Sequence, residues 1–383
     1  MSKSDQNKII WFLLGNPAFT ASSRIHGLAV HNKLVELGYN SFLAYVPTYA
    51  EESIPLTDSN RDSLSTLIKL GDIVILQKIK NLSNLNTIDY FKRIGLTVIL
   101  IDCDLPVAVE VGQVANALVC MSKALTTYYL KLGVKATFIE DSPELYSHKI
   151  RKEENSKLKC FWFGDSSDKR WNEVLTLNEI INDPRLTNWE LVTVSNHPDA
   201  TVQWGTDFLK VMDEEADIVA LPIFNLNEEN SVKSANRLVQ SMALSLPVVC
   251  SPLPSYLDIA ALGKGVIICK TREEWVEALL LLQDAKLRKG MSKEAFEAAQ
   301  PFNLNHVIHL WVKALKLTEK FKIESNTEHE KVQRQINVLF YTQLIRKNIK
   351  YFVRIPLSVG SMASAFFYLR SKSISIARSI LSR

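Results

Sequence analysis

Two charged groupings in this chain have residue types and spacings that could do chemistry. Lys233 and Arg237, with Ser231, Asn236 and Gln240 around them, lie between the apolar runs ADIVALP (216–222) and PVVCSP (247–252). An apolar strand, a polar loop and a helical pattern in that order place two cations at a helix start just beyond a strand. Helix N-termini there present unpaired N–H groups and partial positive charge, so this grouping points to capture of an anion, above all a phosphate-bearing ligand. The second grouping is Asp102 and Asp104 in TVILIDCDLP, two carboxylates at the end of an apolar run. Such a pair orients a hydroxyl group, caps a strand end or binds a divalent cation. Gly15, Ser23, Arg24 and His26 follow the first apolar run, IIWFLL. Arg24 suits a phosphate, an anionic acceptor or a helix-start ion pair. His26 suits a base or a partly exposed helix position.

Apolar runs alternating with helical patterns must position these groups, and that alternation is the mark of βαβ units and parallel sheets. The first series holds strands over 9–14, 41–46, 72–77, 97–102, 117–122 and 136–141, with helices over 23–37 and ending near Gly133. The second holds strands over 159–164, 189–195, 216–222, 247–252 and 265–270, with helices over 169–182 and 234–245. The polar stretch SPELYSHKIRKEENSKLK joins them. Two helical stretches, 272–286 and 292–299, come next. They are followed by a helix from near Asn303 or Asn305 with Val307, Leu310, Trp311, Ala314 and Leu315 on one stripe.

Composition narrows the class. At 47% hydrophobic and 22% charged residues the chain reads as globular, and its length suggests two domains and a remainder. Five scattered cysteines show neither zinc nor disulfide spacing, which suits reduced buried thiols and a cytosolic compartment. The first apolar run is too short for a signal-peptide core or a membrane span. Lys331 to Arg383 contain ten Lys or Arg and no Asp or Glu, leaving the first 330 residues with 35 basic against 41 acidic side chains.

Several segments resemble a known family. KCFWFGDSSDKRWNEVLTLNEI, ADIVALP and SVKSANRLVQSMALSLPVVCSP, together with NPAFTASSRIHGLAVHNKLVELGYN and ALVCMSKALTTYYLKLGVKATFIEDSPELY, resemble glycosyltransferases of the GT-B fold, in particular the large retaining family of nucleotide-sugar-dependent bacterial enzymes. The resemblance spans roughly residues 9 to 325. It implies an α/β fold with two Rossmann-like doubly wound domains facing a cleft, plus a basic helical tail. The domains would be 1–150 on the acceptor side, 151–302 on the donor side, a helix over 303–330 with a return to the first domain as one option, and 331–383 as the tail. Carried over by position, Lys233 contacts the donor diphosphate and Arg237 assists, with Gln240, Asn236, Ser231 and Gly164 completing the donor side. Gly15, Ser23 and Arg24 face acceptor or phosphate, while Asp102, Asp104 and His26 are the catalytic candidates. No cofactor is implied and no metal is expected, the nucleotide sugar being the substrate. The family's pair of glutamates is replaced by Val232 and Gln240, eight positions apart, and its glycine before the last strand by Leu246.

The expected activity is therefore sugar transfer from a nucleotide-activated donor to a glycan or lipid-linked acceptor. The alternatives are a GT-B-like binding protein that has lost the chemistry, or a metal-dependent transferase using Asp102 and Asp104. The tail mixes apolar residues at helical spacing with Arg334, Arg346, Lys347 and Lys350, which suits an amphipathic segment on an anionic membrane surface or a helical pair packed on protein. The former implies peripheral association with the cytoplasmic membrane face. The tail is too apolar for a nucleic-acid partner.

Overall fold

The structure, a computed structural model, describes residues 7–45, 47, 68–105, 108–149, 157–164, 168–205, 207–263 and 265–316. The tail expected over 331–383 lies outside the described residues. In the first lobe the strands are β1 (Ile9–Leu13), β2 (Ser41–Tyr45), β3 (Ile73–Gln77), β4 (Thr97–Asp102), β5 (Ala117–Cys120) and β6 (Ala136–Phe138). Helix α1 opens at Ala21–Ser23, passes through a π-helical stretch at Arg24–Ala29 and closes as Val30–Glu36. It is followed by α2 (Leu85–Arg93), α3 (Val109–Val114) and α4 (Lys123–Lys131). Every residue of β1 and β3 is buried, because helices cover both faces of a parallel sheet.

The second lobe repeats the plan with β7 (Leu158–Phe163), α5 (Asp168–Ile181), β8 (Trp189–Ser195), β9 (Val202–Gln203), α6 (Phe208–Glu215), β10 (Ile218–Leu221), α7 (Glu228–Ser231), α8 (Asn236–Ala243), β11 (Val248–Cys250), α9 (Pro254–Ala260) and β12 (Val266–Ile268). Then come α10 (Arg272–Leu281), α11 (Ala285–Ala299) and α12 (Leu304–Ala314). Each lobe holds a six-stranded parallel sheet, ordered β2-β1-β3-β4-β5-β6 and β12-β11-β10-β7-β8-β9. The second order is that of a Rossmann sheet, and it reverses between β7 and β10. In the first, the order reverses between β1 and β3.

Several boundaries differ from the sequence expectation for local reasons. The helix expected over 272–286 stops at Leu281, because Asp284 leaves the helix and caps α11, accepting from the Lys286 N–H at 2.7 Å. The helix expected over 234–245 is the shorter α8, and the loop before it carries the extra turn α7, capped by Asn227. β9 is a two-residue edge strand, too short for a periodic signal. Helix α11 lies against the second sheet so closely that a Cβ at Gly265 would stand 2.5 Å from Ala295.

The last described helix belongs to the first lobe's core. Val307, Ile308, Trp311 and Leu315 of α12 and its end are buried with Ile9, Trp11, Val30, Leu34 and Ile99, while Leu310 and Ala314 are only partly buried. The rings of Trp11 and Trp311 are 6.5 Å apart, centroid to centroid. Among the described residues, no helix is long and apolar enough to cross a membrane.

Candidate functional site

Ligands of doubly wound sheets sit beyond the carboxyl ends of the strands, where the strand order reverses. In both sheets that point opens onto one cavity of about 960 Å³. Leu14 and Lys78 reach it just past β1 and β3, and Gly164, Pro222 and Ile223 just past β7 and β10.

On the second-lobe side the cavity meets Lys233, Asn236, Arg237 and Gln240 together, as well as Gly164. Arg237 donates to the Phe163 carbonyl at 3.2 Å and, among the described residues, meets no carboxylate. Gln240 is buried and turned toward the chain that joins the lobes. Its Oε1 accepts from the N–H of Glu144 (2.6 Å) and its Nε2 donates to the Leu145 carbonyl (2.9 Å). That pattern needs one acceptor and one donor on the same side chain, which an amide has and a carboxylate lacks. Ser231 is not at the cavity; its hydroxyl bonds the Glu228 carbonyl within its own helical turn. Val232 is buried and its carbonyl accepts from Ser122 of the first lobe at 2.5 Å. Ser245, just past the end of α8, holds a left-handed backbone at φ 56° without being glycine. Its hydroxyl donates to the Ser147 carbonyl at 2.7 Å, so the joining segment is tied down there as well.

The first-lobe side is a lattice of ion pairs at adjacent strand ends. Lys78 and Lys80 follow β3, Asp102 ends β4 and Asp104 follows it. Asp104 faces the cavity and accepts from two lysines, Lys78 at 2.5 Å and Lys233 of the second lobe at 2.6 Å. Burial pushes its carboxyl up, but Lys78 and then Lys233 more than offset that and hold it well below its usual 3.8. Asp102 is set back from the cavity with 0% exposure, its oxygens taken by Lys80 (2.8 and 2.9 Å) and the Tyr129 hydroxyl (2.6 Å). Lys80 also donates to the Asp104 carbonyl at 2.8 Å, which fixes the turn between the two carboxylates. Burial and neighbouring Asp104 push the Cys103 thiol up, so this cavity-lining sulfur stays protonated.

Within α1, His26 reaches the cavity wall and its Nε2 pairs with Asp141, both side chains being buried. Among the described residues, His26 Nδ1 and Asp141 Oδ2 have no hydrogen-bond partner. Arg24 lines the cavity and forms a two-pronged pair with Glu144, including Nη2 to Oε1 at 2.9 Å. Ser23 and Gly15 do not line it. Ser23 is fully buried and bonds the Leu14 carbonyl and Gln77, closing the end of β1; Gly15 makes the turn there at φ 84°.

The structure thus gathers Asp104, His26, Arg24, Lys233, Asn236, Arg237, Gln240 and Gly164 at one cavity, and leaves Asp102, Ser23, Gly15 and Ser231 off it. Lys78 and Glu144 also line the cavity, with Lys80 and Tyr129 behind them, and none of these four was singled out from sequence. Two lysines spaced K-x-K at the end of DIVILQ, beside a D-x-D on another strand end, were the available signal. Among the described residues, no cluster of three or more His, Cys, Asp or Glu is arranged to hold a metal ion.

No family model and no curated protein sequence matches the chain. Solved structures share its fold. The sucrose-phosphate synthase of Thermosynechococcus elongatus superposes with a TM-score of 0.60 at 12% identity, over 82% of this chain and 98% of that one. HepE of Anabaena, solved in complex with UDP and glucose, gives 0.57 at 10% identity, over 82% of this chain and 100% of that one. WaaG, a glycosyltransferase involved in lipopolysaccharide biosynthesis, gives 0.55 at 13% identity, over 81% and 100%. The fold is therefore that of GT-B glycosyltransferases.

Proposed function

We propose that this chain is a glycosyltransferase that moves a sugar from a nucleoside diphosphate donor to an acceptor hydroxyl. The observation that carries the reading is the pair Lys233 and Arg237, placed at the reversal point of a Rossmann sheet inside a cavity that both lobes line. As the bond from the sugar to the diphosphate breaks, negative charge grows on the leaving phosphate, and fixed cations there lower the barrier. Arg24 and His26 stand on the opposite wall, where an acceptor would enter. Because protein cations already serve the leaving group, the reading needs no metal.

Isothermal titration with UDP, GDP and ADP tests it. One of them binds the wild type, and Lys233→Ala weakens that binding roughly 100-fold, the scale expected when one partner of a desolvated charge pair is lost. Binding that survives Lys233→Ala removes the site.

One observation favours a second reading, binding without transfer. Gln240 is committed to the joining segment and Val232 is apolar and buried, so the two places where the family carries glutamates offer no free carboxylate. Transfer or hydrolysis of any nucleotide sugar excludes it. The acceptor is a glycan or lipid-linked sugar on this proposal, and residues 331–383, with ten basic and no acidic side chains, bring the enzyme to an anionic membrane surface. Deleting them abolishes co-sedimentation with anionic vesicles; unchanged co-sedimentation discards that assignment.

A further inference from the structure

The Lys78, Asp104 and Lys233 cluster asks for an explanation that donor binding alone does not provide. Lys233, the cation assigned to the donor phosphate, is already occupied by a carboxylate of the other lobe at 2.6 Å. The pair is only partly shielded, with side chains 21% and 25% exposed, so a ligand can reach it. A phosphate on Lys233 would come within about two hydrogen-bond lengths of Asp104, where like charges repel.

We infer that Asp104 is an internal competitor of the nucleoside diphosphate for Lys233, and that Lys78 is the place to which it retreats. The inference rests on the donor reading above. Three features support it. Asp104 has a cation on each oxygen, Lys78 on Oδ2 and Lys233 on Oδ1, so giving up Lys233 does not leave a buried charge unpaired. Lys78 keeps its position through a strained backbone, left-handed at φ 57° without being glycine, and such strain persists where the surrounding structure holds it for a purpose. Lys80 pins the Asp104 carbonyl, so the carboxylate exchanges partners while its backbone stays put. Arg237, which no carboxylate engages among the described residues, is left to receive the second phosphate without such competition. The same contact works in reverse after transfer. When the diphosphate loosens, Asp104 retakes Lys233 and speeds release, so the residue sets how tightly product is held.

The test measures affinity and dissociation rate for UDP, GDP and ADP with four proteins: wild type, Asp104→Asn, Lys78→Met and the double variant. Circular dichroism and thermal melting confirm that each is folded. Asp104→Asn tightens the nucleoside diphosphate that binds by about tenfold and slows its dissociation, the scale of one modest charge contact. Lys78→Met weakens binding several-fold, because Asp104, with one partner left, grips Lys233 harder. In the Asp104→Asn background Lys78→Met has little effect, since Lys78 acts through Asp104. Binding that depends on Lys233 but is unchanged or weakened by Asp104→Asn overturns the inference and leaves the donor reading standing. Equal weakening by Lys78→Met in both backgrounds also overturns it, for Lys78 would then touch the ligand itself. Absence of binding in both wild type and Asp104→Asn overturns the donor reading and this inference with it.

Discussion

The first lobe matches three carboxylates at its strand ends with basic groups of its own: Asp102 with Lys80, Asp104 with Lys78, Asp141 with His26. The second lobe, built on the same kind of sheet, does the opposite at the cavity. Lys233 has its closest carboxylate on the other lobe, with Glu229 of its own lobe only at 4.0 Å, and Arg237 meets a carbonyl. Equal architecture therefore hosts opposite treatments of charge. One lobe pairs its own carboxylates with its own cations; the other has Lys233 paired from across the cavity and Arg237 without a carboxylate among the described residues.

That division can be broken most forcefully at Lys80. Lys80→Met leaves the fully buried Asp102 without its cation and should cost about 3–5 kcal/mol in urea unfolding, the penalty of an unpaired buried charge. A loss under 1 kcal/mol, by the same principle, would mean the first lobe does not depend on its pairs. At Lys233 the order of effects reverses. Lys233→Ala loses nucleoside diphosphate binding, yet the unfolding free energy should stay within about 1 kcal/mol of wild type, because the side chain is partly exposed and Asp104 keeps Lys78.

A pH series sharpens the comparison at the one carboxylate both lobes share. Burial raises Asp104's carboxyl, Lys78 and Lys233 lower it further, and the folded value lies below the usual 3.8. A carboxyl depressed by folding stabilises the protein above its unfolded value, and that contribution fades as pH falls through the folded one. The stability gap between wild type and Asp104→Asn should thus be flat from about pH 8 to 5 and close only below about pH 4. A gap that closes near neutral pH would contradict the pairing. The smallest effect concerns the joining segment. Ser245→Ala loses the bond to Ser147 and keeps the left-handed strain, whereas Ser245→Gly loses the bond and relieves the strain. The glycine variant should be the more stable of the two by about 1 kcal/mol in thermal unfolding.

How much was legible beforehand follows the same divide. The second lobe's site is written locally: Lys233 and Arg237 sit in one loop and helix start between two apolar strands, and their spacing and context are visible in one stretch of sequence. The paired strand series, and α12 with its apolar stripe, were legible for the same reason, since periodicity is a local signal. The first lobe's pairs were not. His26 and Asp141 lie 115 positions apart and meet only because β1 and β6 end on the same side of one sheet. Asp102 read as a cleft carboxylate because its position at a strand end is visible, while the burial imposed by Lys80 and Tyr129 is not. Gln240 read as a donor-side residue, since nothing nearby in the sequence shows that the backbone of Glu144 and Leu145 takes both ends of its amide.

The docking of α12 on the first lobe has a consequence in time. During synthesis the first sheet is complete by Phe138, but Trp311 and Leu315, which fill its core beside Trp11, leave the ribosome only after the whole second lobe has been made. At about 5–20 residues per second that interval is roughly 10 to 35 seconds. For that period the nascent first lobe carries an open apolar groove, so its maturation is timed by the production of the other lobe, and the last described helix is its closing step.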